Sequence, residues 1–403
     1  MVAEDQFILD TLFAFHSEKT EMDLQVVDQK CLALRWDYID QQLRREGVAS
    51  LFFYYIHKYG LKDFLPTGFC EALKEHYRIF QVRNLTAIGE AKRVFGILQE
   101  RNIALIVLKG LYLIEHIYPH VATRGLSDID ILIQKNDMVT ADVALRHLGY
   151  MPKDSTPEKV INNPLGYLAS LDYVPARDHL PRFHVHWHLV NTSVPAYMFA
   201  TKVDMKRIWA KAITVSIADR KVATLCPEHT LLYLCEHALR VGHSFDRLVL
   251  FSDIILFLRV YEGQIDWTAL WEEGLRMHLD RFLVIALAVV NIFTGFPVPA
   301  IVQDHLLTND IRWGEWIFIK IHQKKLRFRG SSYFIYWSMN RNPLSLLRFI
   351  FRTLFPPLTI LCQRRYIQDN LNASQIVACY LERLMEVLHH FLPRRGSYTH
   401  NSS

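Results

Sequence analysis

The sequence predicts an α+β fold in which a core of strands and short helices lies between two helical regions. Three observations support this prediction. Apolar residues recur at helical spacing before residue 101, short apolar strand-like runs follow, and helical spacing returns from Pro227 onward. We therefore divide the chain into an N-terminal helical region (1–100), an α/β core (101–226) and a C-terminal helical region (227–395).

The clearest helix of the first region is predicted from Asn84 to about Arg101. Asn84 is a residue type that favours the N-cap position. The apolar side chains that follow it are spaced to lie on one face: Leu85, Ile88, Val94, Phe95 and Leu98.

The core is predicted to open with a buried strand at Ala104–Leu108, which ends in a tight exit at Lys109–Gly110. A short helix from Leu111 to Tyr118 would stop at Pro119, because the residue before a proline disfavours helical geometry. The later predicted elements are a strand at Ser127–Gln134, a helix from Asn136 to Leu148 with Gly149 just past its end, strands at Gly166–Leu171 and Phe183–Val190, and a hairpin of Ala212–Ile217 and Lys221–Leu225 joined at Asp219–Arg220.

The third region begins with Pro227, which suits the first position of a helix. Asp246 is predicted to cap the next helix, whose core face would hold Leu248, Ile255 and Leu258. Helical patterns continue at Asp266–Trp267, Phe282–Phe293 and Ile376–Phe391, and the tail after Pro393 is expected to fray.

Composition narrows the classes of protein. The 403 residues are 51% hydrophobic and 22% charged, which argues against disorder, and a net charge of +5 does not by itself imply nucleic acid. Six scattered cysteines without a Cys-x-x-Cys pair indicate buried thiols. The acidic N-terminus lacks a signal peptide, and prolines break the most apolar stretch, Phe282–Gln303, so we expect a cytoplasmic protein without a membrane segment.

Two carboxylates, Asp128 and Asp130, alternate along the second predicted strand. Alternate side chains point to the same face of a strand, so both carboxylates would lie together while Ile129 and Ile131 pack into the sheet. Carboxylates this close repel each other unless a cation lies between them, and Mg²⁺ prefers such oxygen ligands. The pattern predicts a catalytic metal site for phosphoryl or nucleotidyl transfer, whereas an isolated Asp-x-Asp is also common without a metal.

Phosphate-binding groups are predicted at the end of the first strand. Gly110 would let backbone N–H groups approach a phosphate, and the helix that follows offers its positive N-terminus. Lys109 and Arg124 would supply positive charge to a triphosphate. The alternative role for Arg124 is structural, as an ion-pair partner of Asp128 or Asp130.

These motifs occur in an order that resembles the uncharacterised nucleotidyltransferase family of the DNA polymerase β-like superfamily. The resemblance is strongest over residues 84–150, where LKG, a helix with Tyr118, Arg124, the SDIDILIQ strand and a helix ending in Gly149–Tyr150 follow one another. Downstream, PRFHVHWHL and CPEHTLLYLCEHALRVGHSFDRLVLFSDIILFL extend it. The resemblance implies a small mixed sheet flanked by helices, Mg²⁺ on Asp128 and Asp130, a nucleoside triphosphate, and Gly110 near its phosphates.

The chain departs from the superfamily pattern at two positions. A third carboxylate usually comes from a neighbouring strand, and His184 stands at the corresponding place. Leu111 stands where a serine or glycine usually follows the motif glycine. Asp172 and Asp178, which precede this strand, are candidate substitutes for the missing carboxylate.

Three histidines, His184, His186 and His188, alternate along the same predicted strand. Three imidazoles on one face could bind Zn²⁺ or another transition metal. His184 alone could replace the missing carboxylate as base or ligand, because an imidazole transfers protons near neutral pH. The alternative is that the histidines only line a polar cleft. His229, His237 and His243 fall in helical segments and are interpreted as structural or surface groups.

A basic aromatic segment, Lys324–Gly330, with Arg341, Arg348 and Arg352, could contact nucleic acid, an acidic carrier or a membrane surface, or form a solvated face.

Three functional hypotheses remain. The first is a Mg²⁺-dependent enzyme that transfers a nucleoside monophosphate from a triphosphate to a hydroxyl of a small molecule, sugar, protein or RNA. The second is a nucleotide-binding or regulatory protein with reduced catalysis, acting with a partner protein. The third is a metalloenzyme built on the histidine strand.

Overall fold

The computed structural model describes residues 3–13, 34–153, 157, 169–190, 203–307, 311–324, 326–339, 342–365 and 371–392. Its first helices and the two helices of the core are α1 (Ala3–Phe13), α2 (Trp36–Arg45), α3 (Ala49–Lys58), α4 (Thr67–Glu100), α5 (Lys109–His116) and α6 (Met138–His147). The later helices are α7 (Met205–Ala210), α8 (Pro227–Leu239), α9 (Leu248–Val260), α10 (Trp267–Met277), α11 (Asp280–Thr294), α12 (Ala300–Leu307), α13 (Trp313–Gln323), α14 (Ser332–Ser338), α15 (Pro343–Leu354), α16 (Leu358–Arg365) and α17 (Ala373–Phe391).

A mixed sheet of seven strands forms the centre of the fold. The strands are β1 (Leu105–Val107), β2 (Asp128–Ile133), β3 (Tyr150–Pro152), β4 (Ser170–Pro175), β5 (Arg182–His186), β6 (Ile213–Ile217) and β7 (Arg220–Thr224). Their order is β3-β4-β5-β2-β1-β7-β6. The β2–β5 and β1–β7 pairs are parallel, and the other neighbours are antiparallel. The predicted α+β class with a mixed sheet and flanking helices is therefore confirmed.

Helices before and after the sheet share its hydrophobic core. One cluster of buried side chains includes Phe52 of α3, Ile131 of β2 and Phe251 of α9. The two helical regions also contact each other directly, because Arg327 donates to the buried carboxylate of Glu46 at 2.8 Å. The boundaries near residues 100 and 226 remain a prediction about domain organisation.

The helix that was predicted to begin at Asn84 begins at Thr67, so Asn84 is not an N-cap. Asn84 is buried in the middle of α4, where its Nδ2 donates to the carbonyl oxygens of Val121 (2.6 Å) and Arg124 (2.7 Å). A polar side chain that satisfies loop carbonyls has the same sequence signature as a cap. These bonds fasten the loop before β2 to the helix.

The first half of the core follows the sequence closely. Strands β1 and β2 lie within the two predicted ranges. Helix α5 begins at Lys109, two residues earlier than predicted, which places Lys109 and Gly110 in its first turn. Helix α6 begins at Met138, after a 3₁₀ turn at Lys135–Asp137, and Gly149 has a φ of +87° just past its end, as predicted.

The second half of the core departs more from the prediction. Strand β4 starts at Ser170, and residues 166–168 of the predicted strand lie outside the described residues. Strand β5 ends at His186, so His188 lies beyond it. Strand β3 was missed because its three residues are too few to show a periodicity. The hairpin turns at Ala218–Asp219, both at positive φ, and Arg220 already belongs to β7.

In the third region Pro227 is the first residue of α8, as predicted. Asp246 does not cap α9, whose N-cap is Arg247 without a side-chain cap. The Asp246 carboxylate instead accepts a hydrogen bond from Arg329 Nε at 3.2 Å, which removes it from the helix end. The three predicted core residues of α9, Leu248, Ile255 and Leu258, are buried.

Five cysteines are buried as free thiols, and Cys31 lies outside the described residues. Across the described ranges, no helix is both long enough and apolar enough to span a bilayer.

Candidate active site

The parallel register of β2 and β5 brings the predicted acidic and histidine motifs together. Asp130 is paired with His184, and Leu132 with His186. Paired residues of adjacent strands point to the same face, so Asp128, Asp130, His184 and His186 share one face. On the opposite face Ile129, Ile131 and Ile133 are fully buried, which fixes the orientation of β2.

Asp130 is the centre of the cluster. Its side chain is 1% exposed, and its Oδ1 lies 3.0 Å from His186 Nε2 and 3.3 Å from His184 Nδ1. Its Oδ2 lies 3.5 Å from Lys109 Nζ. Burial would raise the pKa of Asp130, but the Lys109 ammonium and the hydrogen bonds from the two imidazoles hold it well below its ordinary value. Asp130 is therefore an ionised carboxylate in a buried place.

The two histidines that face Asp130 differ in their surroundings. His184 is partly exposed, and its Nε2 lies 2.7 Å from Ser170 Oγ on β4. His186 is buried, and burial together with the neighbouring His184 ring lowers its pKa to about 3, so it is neutral at neutral pH. Its Nδ1 has no hydrogen-bond partner within the described parts of the chain.

The metal-ligand set differs from the three-histidine set considered from the sequence. Among the described residues, the only group of histidine, cysteine and acidic side chains spaced to hold a cation is Asp130, His184 and His186, whose ligand atoms lie within 4.8 Å of one another. His188 does not belong to it, because the strand has ended and its Nδ1 meets the backbone of Val190.

Asp128 lies at the start of β2, at the edge of this cluster and not within it. Its carboxylate is partly exposed and accepts a hydrogen bond from Ser127 Oγ at 2.6 Å. Of the two carboxylates, Asp128 is therefore the one that solvent reaches.

Lys109 links the cluster to the C-terminal region. Its Nζ lies 3.4 Å from His237 Nε2, and the ring of His243 is tilted against that of His237 with centroids 4.4 Å apart. Burial and the Lys109 charge lower the pKa of both imidazoles, that of His243 to about 3. The sequence interpretation of these histidines as ordinary helical residues missed their position beside Lys109. The HALRVGH spacing alone gives no signal of that position.

A second unforeseen residue, Tyr233 of α8, is buried, and its hydroxyl has no hydrogen-bond partner within the described ranges. Burial raises its pKa, and the charge of Asp130 raises it further.

Gly110 is buried in the first turn of α5 and lies against the loop before β2. A Cβ there would stand 2.8 Å from Leu126 Cδ1, 3.7 Å from Arg124 Nη1 and 3.8 Å from the carbonyl oxygen of Asp128. The glycine therefore allows the helix N-terminus to pack closely against the start of β2. Its proximity to a phosphate stays a prediction.

Arg124 is paired with Asp253 of α9 and not with Asp128 or Asp130. Its Nε and Nη2 donate to Asp253 Oδ1 and Oδ2 at 2.7 and 2.9 Å, and Tyr118 Oη donates to Oδ1 at 2.7 Å. Burial would lower the pKa of Arg124, but the Asp253 carboxylate raises it above its usual range. Arg124 thus joins the site to the C-terminal helices.

Of the two candidate substitute carboxylates, Asp172 is the nearer. It is paired with His184 in the β4–β5 register and so lies on the same face of the sheet, partly exposed and two strands from Asp130. Asp178 is exposed in the loop between β4 and β5.

Comparisons with known proteins agree with the resemblance seen in the sequence. The family model described as uncharacterised nucleotidyltransferase matches residues 33–295. A solved structure, the crystal structure of an antigenic nucleotidyltransferase-like protein from Paracoccidioides brasiliensis, is 13% identical and covers 52% of this chain and 92% of its own. Its TM-score of 0.28 is too low to add to the family match. No curated protein matches the chain.

Proposed function

The chain belongs to the uncharacterised nucleotidyltransferase family, and we propose that it moves a nucleoside monophosphate from a nucleoside triphosphate to a hydroxyl acceptor at Asp128 and Asp130. The observation that carries this proposal is the position of these two carboxylates on one face of β2, beside the N-terminus of α5. The acceptor would be a hydroxyl of a small molecule, sugar, protein or RNA.

A divalent cation fits this pair of residues on chemical grounds. Carboxylate oxygens are the donors that Mg²⁺ prefers, and Asp128 and Asp130 would hold it. When bound, Mg²⁺ would supply charge neutralisation at the triphosphate and at the leaving pyrophosphate.

Phosphate binding is assigned to the groups around the first turn of α5. The N–H groups of this turn and its helix dipole favour an anion near Gly110. Lys109, whose Nζ lies beside Asp130, would supply positive charge to the phosphates. We expect Arg124 to contribute less than Lys109, because Asp253 already neutralises its charge.

His184 stands where the resemblance implies a third carboxylate, and we propose that it acts as the general base that takes the proton from the acceptor hydroxyl. Its Nδ1 lies near Asp130 and its Nε2 near Ser170, so one of these two contacts must open for the ring to accept a proton. A general base needs its acceptor atom within about 3 Å of the proton it takes.

A specific observation favours the second candidate, a nucleotide-binding protein with reduced catalysis. On the described part of β5 no carboxylate faces Asp130, and Lys109 already lies beside Asp130. Such a protein would bind the triphosphate without transferring it, and would act through a partner protein.

The test is incubation with nucleoside triphosphates labelled at the α-phosphate, with Mg²⁺, alone and with cell lysate. We expect label on the protein or on a lysate component, and we expect Asp128→Asn and Asp130→Asn each to abolish it. Asp219→Asn is the matched control, because Asp219 is an exposed aspartate in the hairpin turn. Thermal stabilisation by a triphosphate without any label transfer would support the second candidate and overturn the first.

A further inference from the structure

We propose that Asp130, His184 and His186 bind a divalent transition-metal ion of the Zn²⁺ class, next to the Mg²⁺ expected on Asp128 and Asp130 and sharing Asp130 with it. The site offers one carboxylate oxygen and two imidazole nitrogens. Imidazole is a preferred ligand of Zn²⁺ and its neighbours, whereas Mg²⁺ takes oxygen ligands. Metal binding here stands independently, and only its part in catalysis rests on the proposed function.

The spacing of the donors matches a tetrahedral ion. Bonds of about 2.0–2.1 Å at tetrahedral angles separate two ligand atoms by about 3.3 Å. The Oδ1 of Asp130 lies 3.3 Å from His184 Nδ1 and 3.0 Å from His186 Nε2. Each imidazole nitrogen therefore stands within a few tenths of an ångström of the spacing from Asp130 that such an ion needs, and the two nitrogens lie within 4.8 Å of each other.

The surroundings leave the donors able to accept an ion. Ser170 Oγ holds His184 through its other nitrogen, as an outer hydrogen bond orients a ligating histidine. The Nδ1 of His186 has no hydrogen-bond partner within the described residues, so the ring proton that Nε2 donates to Asp130 can move to Nδ1 and leave Nε2 free to bind an ion. Lys109 lies on Oδ2, the other oxygen of Asp130, so it does not occupy the same side of the carboxylate.

An ion on Oδ1 and the ammonium on Oδ2 would together exceed the charge of Asp130. The excess is positive and faces the carboxylate-lined edge where a triphosphate would bind. The histidine at position 184 would then change the class of metal that the site binds, from an ion that prefers oxygen ligands to one that prefers imidazole, in addition to removing a carboxylate.

The experiment is calorimetric titration of the full chain, stripped with a chelator, with Zn²⁺, Mn²⁺ and Mg²⁺ separately. We expect one equivalent of Zn²⁺ to bind about a hundredfold more tightly than Mg²⁺. His184→Asn and His186→Asn should each abolish Zn²⁺ binding, and His188→Asn should retain it, because His188 lies outside the cluster. Circular dichroism verifies that each variant is folded.

Zn²⁺ binding that survives in a folded His184→Asn/His186→Asn double variant would overturn the proposal, as would Zn²⁺ affinity no higher than that for Mg²⁺. The result of this titration and the result of the transfer assay can differ, so failure of the metal site and failure of the proposed function are distinguishable. Zn²⁺ binding without label transfer removes the proposed enzyme and keeps the metal site, whereas transfer with Mg²⁺ alone and no Zn²⁺ binding does the reverse.

A different observation, at the C-terminal end, carries a second inference. Residues 316–368 contain ten lysines and arginines and no aspartate or glutamate. Within this stretch α15 exposes Leu344, Leu347 and Phe351, each more than half exposed and spaced three to four residues apart on one side of the helix. Arg348 and Arg352 are exposed beside them.

We infer that α15 binds an anionic membrane surface. An interfacial helix combines an apolar face with flanking basic side chains, and acyl chains and acidic headgroups complement these two features. A second copy of the chain fits less well, because two such faces would bring arginines together with no carboxylate of this stretch between them.

The test is flotation of the full chain with phosphatidylcholine vesicles, with and without phosphatidylserine. We expect binding only with phosphatidylserine, weakened about 30-fold by Arg348→Gln/Arg352→Gln. Leu347→Ser/Phe351→Ser should abolish it, and Leu275→Ser, at a half-exposed leucine of α10, should not. Equal binding to vesicles of pure phosphatidylcholine would overturn the inference. So would a dimer, seen by light scattering, that the Leu347→Ser/Phe351→Ser variant dissociates. An oligonucleotide that displaces the wild type from the vesicles, and that the Arg348→Gln/Arg352→Gln variant no longer binds, would overturn it as well.

Discussion

The pair of Arg124 and Asp253 allows a structural role to be separated from a phosphate-binding role. Asp253 is almost fully buried and accepts three hydrogen bonds, two from Arg124 and one from Tyr118. Asp253→Asn removes the negative charge and leaves the Arg124 guanidinium without its counter-charge. Breaking a buried ion pair in this way costs about 3–5 kcal/mol.

We expect the lower end of that range, about 3 kcal/mol, because Arg124 keeps 12% exposure and a hydrogen bond to the carbonyl of Gly125. Tyr118→Phe removes one hydrogen bond to a charged group and should cost about 1.5–2 kcal/mol. The double variant Arg124→Met/Asp253→Leu, made in the Tyr118→Phe background so that no buried hydroxyl loses its acceptor, removes both charges and should lie within about 1 kcal/mol of Tyr118→Phe alone.

The assay is urea unfolding followed by tryptophan fluorescence, and the free energies of Arg124→Met, Asp253→Leu and the double variant, all in the Tyr118→Phe background, are combined in a double-mutant cycle. The exposed pair of Lys92 and Asp219 is the control, and Lys92→Met should change the free energy of unfolding by less than about 0.5 kcal/mol. Single changes at Arg124 and Asp253 that simply add in the double variant would refute the assignment of a coupled buried pair. The stable double variant then serves in the transfer assay, where we expect its KM for the triphosphate to rise less than that of Lys109→Met.

Three further predictions follow from single contacts. Lys109→Met in the presence of a chelator should lower the free energy of unfolding by about 2 kcal/mol, because Asp130 loses its only nearby ammonium within the described residues, and urea unfolding checks this. Gly314→Ala should destabilise the α13–α14 contact by about 3 kcal/mol, because a Cβ would stand 1.8 Å from the carbonyl oxygen of Phe334. The control is Gly89→Ala in α4, which should be neutral or stabilising because its Cβ would meet open space. Thermal unfolding compares the two variants. Burial lowers the pKa of His322 to about 4, so as the pH falls below about 6.5 the unfolded chain takes up this proton before the folded chain does. We therefore expect the free energy of unfolding to fall by about 2.5 kcal/mol between neutral pH and pH 4.5. Urea unfolding at each pH measures this change, which should be absent in His322→Gln.

The sequence predicted best those elements whose signal is local. Strands β1 and β2 are continuous or alternating apolar runs, and both were located within one residue at each end. The start of α4 was misplaced because Asn84 looks like a cap in sequence, although in space it binds carbonyls of a loop 37 and 40 residues away. Strand β3 forms through its pairing with β4, and the pattern of three residues is too short to predict that pairing.

In the candidate site, too, features with a local sequence pattern were predicted and contacts between distant parts of the chain were not. Alternation along one strand predicted the shared face of Asp128 and Asp130, and the resemblance to the nucleotidyltransferase family drew attention to His184. The partnership of Asp130 with His186 depends on the register of two parallel strands, which lie 56 residues apart along the chain at this contact. The contact of Lys109 with His237 spans 128 residues, and that of Arg124 with Asp253 spans 129. Tertiary packing of the C-terminal helices sets both, so a local pattern could not predict them.

The charge of the site follows from the residue at position 184. Asp128 and Asp130 carry two negative charges, Lys109 carries one positive charge, and the buried His186 is neutral. A third carboxylate at position 184 would change the net charge of these groups from −1 to −2, which one divalent ion would balance. With an imidazole there, a single divalent ion already makes the buried part of the cluster positive. The remaining negative charge, on the exposed Asp128, is then the one free to meet a second ion that arrives with the triphosphate, so one metal would belong to the protein and the other to its substrate.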